Sequence, residues 1–366
     1  MRELLGDLAR FRRQGRSVAV ARVVDLEGSG PRDPGAAMAV ADDGEVVGSV
    51  SGGCVEGAVV EAALESITTG ARGIHTFGYS DDEAFAVGLT CGGTIHLFLE
   101  PFDGDPALDR LADALPAGIP VALATVVSGP GTGAKLLVGD DGERVGSLGD
   151  PDLDRVVARD AEGELASGAT DVRRYGPHGE ARQDEVAVFI ESFVPPPRML
   201  IFGAVDFTAA LVRVAKVLGY EVTVCDARPV FATKKRFPFA DHVVVDWPHR
   251  HLEAVGPDLT PRDAICILTH DAKFDVPAVV AALATDVGYI GAMGSRRTHD
   301  DRVGRLREAG VDEAGLARLH APIGLDLGAR TPEETAVAIC AELLAVRTGR
   351  GTIRPLRESK GPIHAS

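Results

Sequence analysis

Along the first half of the chain, apolar positions come first at helical spacing and then in unbroken β-branched runs. Residues 2 to 14 predict an opening helix and 17 to 24 a strand. A Pro/Gly loop, SGPRDPGA, leads to a second strand from Met38 to Val40, and Asp42-Asp43-Gly44 predicts a hairpin turn into the strand EVVGSV. The run VEGAVVEAALESITTG then offers helix formers with apolar spacing and a closing glycine, Gly70. Gly52, Gly53 and Cys54 therefore fall at a strand-to-helix junction.

The same cycle returns further along. Residues 39 to 49 read AVADDGEVVGS and residues 137 to 147 read LVGDDGERVGS. The flanks match as well, VAVARVV from Val18 with VALATVV from Val121, and TIHLFLEPF ending at Phe102 with EVAVFIESF ending at Phe193. The period is far longer than the roughly 20–50 residues of a solenoid, so the pattern predicts a duplicated α/β unit. One copy then serves as a control for the other. Where the first has SVSGGCVEG the second has SLGDPDLDR; where the first has TCGGT the second has RQDEV; and GSGPRDPGA shortens to GPGTGA. The comparison isolates Arg32, Gly52, Gly53, Cys54, Glu56, Cys91, Gly92 and Gly93 as residues the scaffold does not require, and their joint loss suggests one shared site.

These residue types suit soft-ligand or sulfur chemistry beside an anion. Amides in a helix's first turn attract anions and favour a thiolate at Cys54, and Arg32 suits a phosphate or carboxylate. A glycine-rich cap with a buried cysteine gives the same pattern, and a first-turn Glu56 is also explained by the helix dipole.

After the stiff linker Pro195 to Pro197 the rhythm changes. Strands MLIFGA, EVTVCD, DHVVVD, AICILTHD and VGYIGAMG alternate with helical stretches, which predicts a Rossmann-like, doubly wound parallel sheet. Asp226 lies where such a fold places its ribose-binding carboxylate, roughly 20 residues past Gly203. A GxGxxG fingerprint from Gly203 fails at Val205 and Thr208, and Val205 argues against conventional NAD(P) binding. By the switch-point rule, ligand-binding candidates at the strand ends are Gly203, Asp226, His270 and Asp271, with Gly294, Ser295 and Arg296 as an anion-binding turn. The expected division is thus 1–103, a first α/β unit with Gly-Gly-Cys loops; 104–195, its degenerate second copy; 196–350, the Rossmann-like domain; and 351–366, a tail.

Composition narrows the function. With 366 residues, 45% hydrophobic and 25% charged, the chain can bury substantial cores. A net charge of −16 opposes nucleic-acid binding. No apolar stretch approaches a membrane span, the amino-terminal residues do not read as a signal peptide, and a cytoplasmic location is expected. Five cysteines without paired CxxC spacing exclude a disulfide framework, an iron–sulfur motif or a four-cysteine zinc site. Cys225, Cys266 and Cys340 sit in apolar runs and read as buried hydrophobes.

The segments SGPRDPGAAM, GSVSGGCVEG, GLTCGGTIHLFLEP, LIFGA, GYEVTVCDARPVFA, ILTHDAKFD, YIGAMGSRRT and APIGLDLGARTPEETAVAI together resemble the XdhC/CoxI family of accessory proteins. The resemblance covers roughly residues 15 to 103 and 198 to 348. It implies binding of molybdenum cofactor and its delivery, in sulfurated form, to a xanthine dehydrogenase or related molybdenum hydroxylase. Cys54 and Cys91 are then the thiols that touch molybdenum or pass sulfur. The resemblance also implies a cysteine-desulfurase-type sulfur donor as partner, a homodimer, and a chaperone rather than a catalyst. Two alternatives remain, an NAD(P)-linked oxidoreductase using the second domain and a cofactor-free adaptor for hydroxylase maturation. The second copy, and GAVDF in place of GAGHV, depart from the family pattern.

Overall fold

A computed structural model describes residues 1–27, 32–78, 93–102, 104–269, 271–349 and 353–358. The chain forms two compact units, Met1–Pro195 and Pro196–Ser359. None of the described helices is long and apolar enough to cross a membrane.

Unit one holds two five-stranded antiparallel sheets of one design. The first comprises β1 (Val18–Glu27), β2 (Ala37–Ala41), β3 (Val46–Gly48), β4 (Gly73–Gly78) and β5 (Thr94–Pro101), in the order β3-β2-β1-β5-β4. The second comprises β6 (Val121–Ser128), β7 (Lys135–Gly139), β8 (Arg144–Ser147), β9 (Thr170–Tyr175) and β10 (Val186–Phe193), in the order β8-β7-β6-β10-β9. A helix precedes each sheet, α1 (Leu5–Arg13) and α3 (Pro106–Ala114), and another follows each third strand, α2 (Glu56–Thr69) and α4 (Pro151–Ser167).

The likeness extends to irregularities. The register of β1 on β5 slips at Val24, and that of β6 on β10 slips at Val127. A bulge sharpens strand twist, and both valines pack into one small core with Phe98 and Phe189, where the two halves meet. Gly48 at the end of β3 and Gly146 one residue before the end of β8 take positive φ of 80° and 91°, and a Cβ on either would collide with the carbonyl of Ala37 or Lys135. Apolar alternation along the strands is incomplete because several are buried on both faces. All five residues of β2 and of β7 are buried, packed by α1 and α3 on one side and by α2 or α4 on the other.

A buried charge cluster lies within this core. Arg22 on β1 is fully buried and bridges Glu100 on β5 at 2.8 Å and Glu191 on β10 at 2.7 Å. Lys135 on β7 meets the other oxygen of Glu100 at 2.6 Å, and Thr125 on β6 flanks the guanidinium.

Unit two carries a six-stranded parallel sheet in the order β13-β12-β11-β14-β15-β16. Its strands are β11 (Arg198–Phe202), β12 (Glu221–Cys225), β13 (His242–Val244), β14 (Ala264–Ile267), β15 (Tyr289–Ala292) and β16 (Leu319–His320). Helices α5 (Asp206–Val217), α6 (Pro248–Val255), α7 (Ala272–Leu283), α8 (Arg296–Glu308) and α10 (Pro332–Thr348) connect or cover the strands, and a short α9 (Glu313–Ala317) precedes β16. This is the doubly wound order, with its switch point between β11 and β14. Five of the strands are legible in the sequence; β16, two residues long, is not.

Candidate functional site

The Gly-Gly-Cys segment of unit one is a tight turn between β3 and α2. Gly52 and Gly53 take positive φ values of 74° and 116°, so the chain reverses where a side-chain-bearing residue would be strained. Three side chains organise the turn. Ser49 Oγ accepts from the Gly52 amide at 2.9 Å, and Ser51 Oγ accepts from the amides of Cys54 and Val55 at 2.9 and 3.0 Å. Glu56 accepts from Ser49 Oγ at 2.7 Å and from the amides of Ser51 and Gly53 at 2.9 Å each, and Ser51 Oγ also donates to it.

These bonds correct two expectations. The amides of Gly52 and Gly53 are not open donors: the first is held by Ser49 and the second by the chain's own carboxylate. An incoming anion has to compete with Glu56 for them. Burial alone would push the pKa of Glu56 up, but the hydroxyls of Ser49 and Ser51 and the Ser51 amide outweigh it and hold the pKa down at about 2. Glu56 is also not peculiar to the first half. Ser147 Oγ donates to Asp154 at 2.7 Å, the Leu148 amide donates to Asp154 at 2.6 Å, and the Gly149 amide donates to Ser147 at 3.0 Å. A serine ending the third strand and a carboxylate seven residues later clasp the turn in both halves. Glu56 therefore belongs to the shared scaffold.

What differs between the clasps is the stretch inside them. In the second half Asp150 caps α4, accepting from the amides of Asp152 and Leu153, and Pro151 occupies the first helical position. The helix there begins early. In the first half the corresponding residues are unwound into the glycine turn, and α2 starts only at Glu56. Cys54 sits on this unwound stretch, half-buried and packed against the apolar core that includes Val50, Val59 and Ala63. Arg32 is exposed and lines, together with Ser49, a cavity of about 390 Å³ that also reaches Thr170 and Glu191. The structure thus brings Arg32 and the serine of the clasp to one cavity. Gly93 is buried just ahead of β5. Cys91 and Gly92 lie outside the described residues, as does His270 of unit two. Among the described residues no group of three or more His, Cys, Asp or Glu side chains converges as a metal site.

In unit two, Gly203 has φ of 113° at the end of β11, and a Cβ there would press on Thr269 and Leu268 at 3.1–3.2 Å. Asp226 is buried and committed. It accepts from the Ala204 amide at 2.7 Å, from the Arg228 amide at 2.9 Å, and from the Arg228 guanidinium at 2.8 and 2.9 Å. Burial would push its pKa up, but these donors hold it below the ordinary carboxylate value. It is therefore not the open ribose acceptor that its position suggests. Asp271 caps α7 through the Lys273 amide and pairs with the Lys273 ammonium at 3.1 Å. Gly294 takes an extreme positive φ of 154°, and Ser295 caps α8 by accepting from the Thr298 amide at 3.1 Å, with Arg296 exposed beyond it. Cys225, Cys266 and Cys340 are buried, and burial pushes their thiols up, Cys225 and Cys340 to about 12.

Sequence reasoning missed the charge cluster of Arg22, although a lone Arg in VAVARVV and glutamates at matching places in the two flanks are its visible traces. It also missed Asp154 as the counterpart of Glu56 in the second half, and the pairing of Arg228 with Asp226.

Comparison with known proteins agrees with this architecture. The profile of the XdhC and CoxI family matches residues 11–78 and again 114–176, and that of the XdhC Rossmann domain matches 199–343. A protein of Bacillus subtilis (strain 168), named as a probable xanthine dehydrogenase subunit, is 27% identical over 332 residues, covering 90% of this chain and 92% of its own. The molybdenum cofactor insertion chaperone PaoD of Escherichia coli (strain K12) is 25% identical over 333 residues, covering 91% of this chain and 84% of its own. A crystal structure described as a xanthine dehydrogenase from Bacillus halodurans superposes with a TM-score of 0.68 at 27% identity, over 97% of both chains. With both domain profiles matched and relatives aligned along nearly its whole length, the chain belongs to the XdhC and CoxI family.

Proposed function

We propose that this protein is an accessory factor that binds molybdenum cofactor and passes it, with help in sulfuration, to a xanthine dehydrogenase-type molybdenum hydroxylase in the cytoplasm. The observation that carries this reading is the contrast between the two clasps. On a scaffold otherwise repeated down to its bulges, the first half unwinds a helical turn to present Cys54 directly after two glycines, and the second fills the same interval with a capping Asp-Pro. We read the two halves as copies of one duplicated unit, of which the second has lost the site.

A pterin dithiolene cofactor combines a phosphate with a soft metal, so its carrier needs a cation and a thiol. Arg32 supplies the cation at the mouth of the cavity. Cys54 supplies the thiol, with Cys91 as a second. Glu56, fixed by the serine hydroxyls, keeps the turn in shape and bars small anions from the Gly53 amide. A cysteine-desulfurase-type donor and the hydroxylase are the partners of this reading, and a homodimer is its expected assembly.

Purification from a host that makes molybdenum cofactor, followed by mass and metal analysis of what copurifies, tests the proposal. The native protein should carry pterin and molybdenum, and Cys54→Ala with Cys91→Ala should reduce both at least tenfold. Undiminished binding by the double variant sinks the thiol assignment. Absence of pterin and metal from the native protein favours the cofactor-free adaptor.

A further inference from the structure

We propose that the switch-point crevice of unit two is a second ligand site, shaped for a nucleoside monophosphate and closed to dinucleotides. It concerns unit two alone and does not depend on cofactor delivery by unit one.

A cavity of about 340 Å³ opens at the carboxyl ends of the strands, lined by Val205, Asp226, Arg228, Thr269, Lys273 and Phe274 among others. That is near the lower end of the roughly 300–1,000 Å³ typical of small-molecule sites, so it suits one nucleotide rather than two. The devices that hold a pyrophosphate in this fold are turned inward. The Ala204 amide donates to Asp226, and Val205 carries a side chain where a glycine would let phosphates approach. Gly203 alone survives of the fingerprint, and the close packing of Thr269 against it accounts for that without any ligand.

Beside the exposed carboxylate of Asp271, the crevice is lined by two cations and an aromatic ring. Arg228 uses Nε and Nη2 on the buried Asp226, lies 4.5 Å above the Phe231 ring, and leaves about half of its side chain exposed. Lys273, 61% exposed, sits 4.8 Å from the centre of the Phe274 ring, which packs on Trp247 at 4.9 Å. Each carboxylate of the site is held by backbone amides and by one cation, Asp226 by Ala204 and Arg228 and Asp271 by Lys273, and the two cations keep about half or more of their side chains exposed. A single phosphate can draw Lys273 from its solvent-exposed partner at little cost and add bonds from Arg228, with the heterocycle laid against Phe274.

Trp247, the single tryptophan of the chain, touches Phe274 and reports on the site directly. The full chain is titrated with AMP, CMP, GMP and UMP, and with adenosine, inorganic phosphate and NAD⁺, by calorimetry and by Trp247 emission. At least one monophosphate should bind with a saturable emission change, and at least tenfold more tightly than adenosine, phosphate or NAD⁺. Lys273→Ala, on an exposed side chain, should weaken it about fivefold or more with unchanged circular dichroism. Arg228→Ala should weaken it further, but it strips Asp226 of its partner, so Lys273→Ala is the deciding variant. NAD⁺ binding as tightly as the best monophosphate, adenosine binding equally well, no binding by any monophosphate at millimolar concentration, or full affinity in Lys273→Ala each overturns the proposal. None of these outcomes bears on copurified pterin, so the two readings fail separately.

Discussion

At the scale of residues, Cys54 and Glu56 stand two positions apart and play opposite parts. Cys54 lies on backbone that exists only because two glycines accept positive φ, whereas Glu56 repeats in kind at Asp154 and serves the fold. A carboxylate held at about 2, against 4.5 when unfolded, contributes stability that is present above pH 4.5 and lost as the pH falls toward 2. Glu56→Gln should therefore destabilise the protein at pH 7 by about 1–2 kcal/mol, after discounting for its partial exposure. Urea denaturation of native and variant proteins at pH 7 and pH 3 checks this, and the gap between them should narrow at the lower pH. The position of Cys54 at a strand-to-helix junction is legible from hydrophobic pattern alone. The partners of the turn's amides are not, because which hydroxyl reaches which amide depends on glycine dihedrals that no pattern encodes. Glu56 and Asp154 both stand eighth in SVSGGCVEG and SLGDPDLDR, but a comparison that looks for identical residues passes over a Glu matched by an Asp.

At the scale of elements, the two sheets of unit one are joined by charge as well as by apolar packing. Five strands contribute to the buried cluster: β1 with Arg22, β5 with Glu100, β6 with Thr125, β7 with Lys135 and β10 with Glu191. Removing one member of such a cluster leaves a buried charge uncompensated. Arg22→Met should cost about 3–5 kcal/mol in chemical denaturation, and adding Glu191→Gln should recover part of the loss, since one of the stranded carboxylates is then neutral. If Arg22→Met leaves stability unchanged, the cluster is not holding the halves together. The strands themselves are legible as apolar runs, and so is the parallel sheet of unit two, where β-branched segments alternate with helical ones. The cluster leaves only traces, a lone Arg in VAVARVV and glutamates at matching places in the two flanks, because nothing local says which charges pair between residues as far apart as Arg22 and Glu191. The shortness of β16 hides it for a different reason: two residues carry no periodicity.

At the scale of the whole molecule, the division between Pro195 and Pro196 separates an antiparallel, two-sheet unit from a parallel one, each with its own cores. Expressed separately, residues 1–195 and 196–359 should each unfold cooperatively, as followed by circular dichroism in urea. On the proposed reading, copurified pterin should follow the first piece and nucleotide-dependent Trp247 emission the second. Loss of cooperative unfolding in either piece would show that it needs the other. The serine and the carboxylate that pin each turn leave six residues between them, of which the first, Val50 or Leu148, is buried in both halves while the next five differ. Within that interval the same sheet design carries a glycine turn in one half and an Asp-Pro helix cap in the other. Transplanting Val-Ser-Gly-Gly-Cys-Val between Ser147 and Asp154 is thus the natural way to give the silent half a thiol of its own.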